Sequence, residues 1–441
     1  MPVNLLISLT RVIRKKTLFF QASLLQYVLK WTFIAAIVGL LTGSASALFL
    51  ILLDRLTQWR EGHVWIIGFL PVAGMAIGLM YHYLGKDVVK GNNQLIEEIQ
   101  NPKKVIPLIM APLVFAGTLI THLFGGSAGR EGTAVQMGGA FADQLTHLLK
   151  LKPRDRKILI ICGISAGFSS VFGTPLAGAV FGLEVFIIGS MVYGAILPSF
   201  LAAIIANLVT VAWGANHIHY SVNIVPEMDA IMLICAIAAG ALFGYTSRIF
   251  SILTQFIQKV FSLFSFPPVR PVVGGVILVL LFWLIGNTRY AGLGIPAILE
   301  SFTQAQAWYV FLLKLVLTAL TLGCGFKGGE VTPLFFIGAA FGSFLSLVMP
   351  LPVALLAAMG FAAVFAGAAN TPIACILMGI ELFGIESGIY IAIACVLSYL
   401  FSGHSGIYHS QMIAHSKHGL LIREQGRSLS SLKEMNEQKE D

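Results

Sequence analysis

Two ionisable residues, Arg130 and Glu131, lie inside a glycine-rich, otherwise apolar stretch that reads G-G-S-A-G-R-E-G-T at 125–133. Charged side chains at membrane depth are costly unless they pair or line a pathway, so such residues mark a candidate functional site. The glycines indicate irregular backbone with helix starts on either side, and a helix start presents free N–H groups that favour an anion. A carboxylate at this position predicts a gate or proton carrier on an anion path.

The elements that hold this stretch are predicted to be membrane-spanning helices. The chain of 441 residues is 57% hydrophobic and 11% charged, whereas a soluble domain is about 25% charged, and its mean hydropathy is +0.86. A span needs about 20 apolar residues, and such stretches are predicted at 31–53, 66–84, 105–125, 157–186, 192–213, 229–248, 272–286, 307–326, 353–383 and 388–402. Several are too long or contain Gly and Pro, so we expect pairs of short or broken helices.

The net charge of +8 is carried largely by short segments beside the apolar stretches. The basic segments at 11–16, 86–104 and 150–157 are expected in the cytoplasm by the positive-inside rule, and this distribution argues against nucleic-acid binding. The loop 214–229 contains no Lys or Arg and is expected outside. The five cysteines are scattered within apolar segments and are expected to be packing residues, so we predict no disulfide, metal site or cofactor.

The chain also contains an internal repeat. T-P-L-A-G-A-V-F-G-L-E-V-F at 174–186 aligns with T-P-I-A-C-I-L-M-G-I-E-L-F at 371–383, an offset of 197 (371 − 174). Two more pairs follow the same order: 138–141 with 338–341, and 91–94 with 292–295. When the alignment of 138–141 with 338–341 is continued toward the N-terminus, G-R-E-G-T at 129–133 aligns with G-E-V-T-P at 329–333.

Two halves of this kind in a transporter usually face opposite ways, with the substrate site at their interface near the membrane midplane. The sequence therefore predicts an all-α polytopic membrane protein whose two inverted repeats contain broken helices and meet at a midplane anion site. The predicted organisation is a cytoplasmic N-terminal segment 1–30, a first transmembrane repeat 31–214, a second repeat 215–410 and a solvated cytoplasmic tail 411–441.

Four motifs in this order resemble the CLC family of chloride channels and anion/proton antiporters, over about residues 30–410. They are G-N-N-Q at 91–94, G-R-E-G at 129–132, G-E-V-T-P at 329–333 and S-G-I-Y-H at 405–409. The resemblance implies the CLC fold, a homodimer with one path per subunit in the lipid bilayer of a bacterial inner membrane, and cytoplasmic termini. It implies anion binding by Asn92, Gly129, Arg130, Gly132, Val331, Thr332 and Tyr408. Tyr408 is expected to close the inner side of the site.

Departures from the chloride-type motifs resemble the fluoride/proton antiporter branch of the family. Chloride-handling members carry G-S-G-I-P where this chain has G-N-N-Q-L at 91–95, and Thr133 replaces a proline after G-R-E-G. The second-repeat motif has become E-V-T-P at 330–333, and Val185 stands where chloride/proton exchangers place an inner proton-transfer glutamate. The resemblance therefore implies a secondary transporter that exports fluoride in exchange for protons, with Glu131 as gate and proton carrier.

The chemistry of fluoride agrees with these departures. Fluoride is small and strongly hydrated, so its dehydration must be offset by dense hydrogen-bond donors. Asn92 offers two N–H donors, against one from a serine hydroxyl, and Thr332 adds a hydroxyl. Glu330 is a candidate for proton transfer or for the anion's exit. The alternative for Glu330 is a salt bridge with Lys327, since a spacing of three residues suits a helix pair.

Other functions must be weighed against fluoride export. A chloride/proton antiporter or a passive anion channel of the same fold would share these motifs. G-x-S-x-G at 125–129 and 163–167 suggests a serine hydrolase, but here the motif lies between predicted helices, so we do not expect an enzyme. Glu184 and Glu381, at equivalent repeat positions, are expected to cap or pair at helix ends, and Lys314 to snorkel or pair rather than bind substrate.

Overall fold

The computed structural model describes residues 3–432 except 216 and 219, with side chains from residue 20 onward. The first half contains eight α-helices within that part of the chain. They are α1 (Val3–Gly62), α2 (Leu70–Leu84), α3 (Asn92–Gln100), α4 (Met110–Leu123), α5 (Glu131–Leu148), α6 (Pro153–Phe172), α7 (Pro175–Glu184) and α8 (Ile196–Ala212). The two-residue strand β1 (Ile187–Ile188) follows α7.

The second half repeats this order of helices. Its members are α9 (Ala230–Ser262), α10 (Val269–Ile285), α11 (Ile295–Ser301), α12 (Trp308–Gly323), α13 (Val331–Leu345), α14 (Val353–Ala369), α15 (Pro372–Phe383) and α16 (Gly388–Phe401), followed by β2 (Met412–Ile413). Among the described residues, four helical segments are long and apolar enough to cross a membrane: Phe20–Gly62, Val64–Leu84, Tyr193–Ala212 and Ala230–Ser262. The predicted all-α architecture is confirmed.

Two of the predicted spans are broken helices, as expected. The span 157–186 contains α6 and α7, and the span 353–383 contains α14 and α15. Each first helix ends on a residue in the left-handed region, Gly173 (φ 73°) or Asn370 (φ 59°). A Thr-Pro pair then starts the next helix, because proline at the first helical position needs no N–H partner. The breaks fall at aligned positions, which agrees with the predicted repeat.

Several predicted boundaries were wrong. α1 runs without a break through residue 30, and α9 continues to Ser262, well beyond the predicted end at 248. α5 and α13 lie outside every predicted span. Polar residues interrupt the apolar pattern of α5, and the charged, glycine-rich run at 327–330 separates α13 from the span predicted before it.

The paired short helices α7 and α15 cap each other across the two repeats. The Glu184 carboxylate accepts hydrogen bonds from two N–H groups in the first turn of α15, at 3.2 and 2.9 Å. Glu381 does the same at the start of α7, at 3.0 and 2.8 Å. Each carboxylate satisfies donors that have no partner within their own helix. The expected structural role of the two glutamates at helix ends is confirmed.

Residues 411–432 pack against the helices instead of forming the solvated tail that was predicted. β2 pairs in parallel with β1, and Leu429 and Leu432 join Ile188 in a small apolar cluster. The buried Gln411 amide donates hydrogen bonds to the carbonyl groups of Val185 (2.6 Å) and residue 369 (2.8 Å). These contacts hold in place the loop that carries Tyr408.

Close helix crossings at glycine pairs hold each repeat together. α5 and α6 cross at Gly138 and Gly163, and α13 and α14 cross at Gly338 and Gly360. A Cβ on Gly138 would lie 2.2 Å from the carbonyl oxygen of Gly163, and one on Gly338 would lie 2.0 Å from that of Gly360. Small residues let helix backbones approach this closely. The same type of close crossing therefore occurs once in each repeat.

We expect Gly338→Ala to destabilise the protein, because the added methyl group forces α13 and α14 apart. Overpacking of this kind costs about 1–3 kcal/mol. The midpoint of thermal unfolding, followed by size-exclusion chromatography of purified protein, should fall clearly. The matched control is Gly62→Ala, at a position where an added Cβ meets no atom within 4 Å. Equal midpoints for the two variants would contradict this account of the crossing.

Candidate functional site

The two repeats meet at an antiparallel bridge between Gly129 and Gly329. The Gly129 N–H donates to the Gly329 carbonyl at 2.6 Å, and the Gly329 N–H donates to the Gly129 carbonyl at 2.8 Å. These are the residues that the sequence alignment of the two repeats set against each other. The structure therefore confirms that the two glycine-rich motifs are neighbours in space.

Two helix starts converge on this bridge. α5 begins at Glu131 and α13 begins at Val331, two residues after each bridging glycine. The first turns of a helix carry N–H groups without intrahelical partners and the positive end of the helix dipole. Because both starts lie together and both are buried, the bridge creates a region that attracts an anion.

The Glu131 carboxylate from the first repeat fills the helix start of the second. Its side chain is fully buried, and one oxygen accepts hydrogen bonds from the backbone N–H groups of Thr332 and Arg130, both at 3.1 Å. The Thr332 hydroxyl donates to the other oxygen, and the Arg130 Nε lies 3.7 Å from it. Glu131 thus occupies the position in which a free anion would find the same donors.

A cavity of about 970 Å³ lies on the side of loop 214–229, and we call it the outer cavity. Four arginines line it against two carboxylates, so its wall is positively charged. The arginines are Arg55, Arg60, Arg130 and Arg289, and the carboxylates are Asp54 and Glu61. Arg60 is almost fully buried and donates to the His122 carbonyl at 2.8 Å. A cavity wall with this charge attracts anions.

A smaller cavity of about 140 Å³ lies on the side of the basic segment 86–104, and we call it the inner cavity. Asn92, Glu330 and Tyr408 all line it, so the structure brings together three of the predicted site residues. Glu131 lines neither cavity. It lies between Arg130 in the outer wall and the donors of α13.

Asn92, the first residue of α3, reaches the bridge from the inner side. Its Nδ2 would lie 3.0 Å from a Cβ placed on Gly132, so a glycine is needed for the amide to approach. Its Oδ1 is buried without a hydrogen-bond partner among the described residues. This oxygen is an acceptor and does not bind an anion, so the group of Asn92 that can donate to one at the inner end of the site is Nδ2.

The predicted alternative of a salt bridge between Lys327 and Glu330 was wrong. In the described structure the Lys327 ammonium makes no ion pair with Glu330 and lies over the ring of Tyr81, 4.0 Å from its centroid. The spacing of three residues suits a pair only within a helix, and here the lysine precedes α13. The Glu330 Oε2 is buried and has no hydrogen-bond partner among the described residues.

Lys314 neither snorkels nor pairs with a carboxylate, which corrects the sequence-based expectation. It is fully buried and donates to the carbonyl groups of Tyr290 (3.0 Å) and Gly292 (2.7 Å). These bonds shape the loop beside the outer cavity. The isolated lysine within an apolar helix was a sequence signal for such a role, whereas no local pattern pointed to Arg60 or Tyr81.

The family model for voltage gated chloride channels matches residues 72–403. The chain belongs to this family. A chloride/fluoride channel protein of Pseudomonas syringae pv. tomato is 52% identical over 430 residues, covering 95% of this chain and 94% of the relative. An H(+)/Cl(-) exchange transporter, ClcA, of Vibrio vulnificus is 27% identical over 384 residues, covering 79% of this chain and 81% of the relative.

Solved structures of the voltage gated chloride channel family have the same fold. A CLC-type fluoride/proton antiporter superposes with a TM-score of 0.84 at 36% identity, covering 87% of this chain and 97% of that chain. A slow cyanobacterial Cl-/H+ antiporter superposes with a TM-score of 0.74 at 20% identity, covering 84% and 94%. The predicted CLC fold and the predicted family resemblance are confirmed.

Thr332→Val should weaken the hold of α13 on the Glu131 carboxylate, because it removes the hydroxyl donor and keeps the shape. A hydrogen bond to a charged group contributes about 1.5–3 kcal/mol, so we expect the midpoint of thermal unfolding to fall. Thr332→Ser keeps the hydroxyl and is the matched control. If serine lowers the midpoint as much as valine does, the hydroxyl is not what holds the carboxylate.

Proposed function

We propose that this chain is a secondary transporter that exports fluoride in exchange for protons. The observation that carries the proposal is the position of Glu131, whose carboxylate binds the donors at the start of α13 in place of an anion. The superposed fluoride/proton antiporter supports the same choice of anion, and the name of the Pseudomonas relative includes fluoride beside chloride.

In this proposal, Glu131 and fluoride compete for one set of donors. The ionised carboxylate holds the Thr332 N–H and hydroxyl and closes the path. Protonation removes the negative charge that these donors stabilise, so the side chain leaves and fluoride takes its place. The protonated side chain and the anion then move in opposite directions. Coupling follows because the site accommodates one negative charge at a time.

Anion preference is assigned to the donors around the bridge. Fluoride loses more hydration free energy than chloride on entering a buried site, so it needs more short hydrogen bonds. Thr332 supplies a hydroxyl and a backbone N–H, and Asn92 supplies its amide from the inner side. Gly129 and Gly132 allow these groups to approach closely. Tyr408 lines the inner cavity and closes the site on that side.

The inner half of the proton path is assigned to Glu330. Val185 has no titratable group, and its carbonyl is bound by Gln411. The neighbouring Glu184 caps α15, so it is held away from the path. Glu330 has a carboxylate oxygen without a hydrogen-bond partner, in a residue that lines the inner cavity. We therefore assign to Glu330 the exchange of a proton with Glu131.

The proposed setting is a bacterial inner membrane, with both termini in the cytoplasm and two copies forming a dimer with one path each. The charge distribution supports the orientation, because the segments at 86–104 and 150–157 are basic and the loop 214–229 is not. The inner cavity then opens toward the cytoplasm and the outer cavity toward the outside.

Transport by purified protein in liposomes tests the function directly. Liposomes loaded with fluoride or chloride are diluted into anion-free buffer, and anion efflux and internal pH are recorded with and without a proton leak. A fluoride/proton antiporter releases fluoride while taking up protons, and pumps protons against their gradient. Chloride efflux at an equal rate would indicate a chloride/proton antiporter. Fluoride efflux without proton movement would indicate a passive channel.

Glu131→Gln should abolish proton coupling, because the amide keeps the shape of the side chain but cannot load and release a proton. The measurement is fluoride-driven proton uptake into liposomes. Glu61→Gln is the matched control, since Glu61 lines the outer cavity as an exposed carboxylate. Uphill proton movement in Glu131→Gln would show that another group carries the proton.

Asn92→Ser should weaken discrimination between fluoride and chloride, because it removes one donor and leaves more room. Loss of one buried hydrogen bond is worth about 1–3 kcal/mol, so the ratio of fluoride to chloride efflux rates should fall about 5-fold or more. Asn101→Ser makes the same chemical change at the exposed, opposite end of α3. An unchanged ratio in Asn92→Ser would assign selectivity to other donors.

A further inference from the structure

Lys327 lies in the wall of the inner cavity in a defined position. Its stem packs against α4, where a Cβ on Gly117 would lie 3.1 Å from both the Cβ and the Cγ of the lysine. Its ammonium lies over the ring of Tyr81. The side chain is half-buried, and it lines the same cavity as Asn92 and Glu330. A fixed positive charge therefore stands beside the proposed anion path.

The charges around this cavity do not cancel by direct contact. Lys90 also lines the cavity, but it is exposed and paired with Glu97 at 2.7 Å. Tyr81 from α2 and Tyr408 from the C-terminal loop contribute neutral rings, and Glu131 lies beyond the glycine bridge. Lys327 and Glu330 remain as opposite charges that share the cavity without forming an ion pair in the described structure.

A buried positive charge is unfavourable unless a negative charge compensates it. The ionised Glu330, which lines the same cavity, supplies that charge. When Glu330 takes up a proton, the cavity carries a net positive charge, and Asn92 offers a hydrogen-bonding amide beside it. A small anion that enters from the cytoplasmic side then restores neutrality.

We propose that Lys327 is the positive charge that holds the anion in the inner cavity when Glu330 is protonated. The carboxylate and the anion alternate as its counter-charge, so the anion enters this cavity from the cytoplasm while Glu330 holds a proton received from Glu131. This role rests on the proposed anion/proton exchange and adds a residue that acts on anion affinity. The competing explanation is that the ammonium only packs on the face of Tyr81.

Fluoride binding to the purified protein, measured by isothermal titration calorimetry, separates these explanations. Measurements in the Glu330→Gln background keep the carboxyl position neutral, so they report the lysine charge alone. Lys327→Met and Lys327→Gln remove the charge, and Lys327→Arg keeps it. Lys86→Met removes a positive charge from an exposed position on the same side, outside the cavity. Thermal unfolding of every variant checks that it is folded.

We expect Lys327→Met and Lys327→Gln to weaken fluoride binding about 30-fold or more relative to the Glu330→Gln protein. The Lys327→Arg variant should bind fluoride within a few-fold of the Glu330→Gln protein, and the Lys86→Met variant should bind it equally well. Unchanged affinity in a folded Lys327→Met or Lys327→Gln variant would overturn the proposal and leave the packing role. A loss in the arginine variant equal to that in the methionine variant would overturn it too, because charge would then not be the cause.

Transport by the unsubstituted protein in liposomes shows whether a failed test concerns the proposed function or only the role of Lys327. If it exchanges chloride instead of fluoride for protons, the same titrations are run with chloride, and the same pattern of affinities is expected. If it exchanges fluoride for protons while the lysine variants bind fluoride normally, the function stands and only the role of Lys327 fails.

Discussion

The pair of hydrogen bonds between Gly129 and Gly329 is the constraint on which the rest of the site depends. It joins two motifs 200 residues apart (329 − 129) and places the starts of α5 and α13 side by side. The approach needs glycine at both positions, since a Cβ on Gly129 would lie 2.9 Å from the Gly329 carbonyl oxygen. Two helix starts so close together supply more backbone donors and more positive potential than either alone.

The two repeats have the same helix crossings and helix caps, but they differ in the ionisable residues near the bridge. The crossing at Gly138 and Gly163 has a counterpart at Gly338 and Gly360, and the caps made by Glu184 and Glu381 are reciprocal. These contacts hold helices in place, so each repeat needs its own copy of them. The carboxylates near the bridge differ, because Glu131 aligns with an apolar residue and Glu330 aligns with Arg130. A repeated set of helix contacts thus holds ionisable residues that differ between the two repeats.

Each buried charge near the path has a physical reason to be there. Lys314 and Arg60 donate to backbone carbonyl groups and so shape the loops around the outer cavity. Glu131 is held by donors from both repeats. Lys327 and Glu330 line one cavity without forming an ion pair. Charged groups inside a membrane protein are retained where they pair or line a pathway, and the described residues follow that rule.

The sequence by itself determined the membrane class, the repeat, the presence of broken helices and the group of residues around Glu131. These features depend on composition, on Gly and Pro at particular positions, and on motif spacing, which are all local properties of the chain. Only the tertiary structure decided that the Glu131 carboxylate binds Thr332, that Lys327 contacts Tyr81 instead of Glu330, and that residues 411–432 pack against β1. Each of these contacts joins residues far apart in sequence, so its geometry is set by how the helices pack and not by any local pattern.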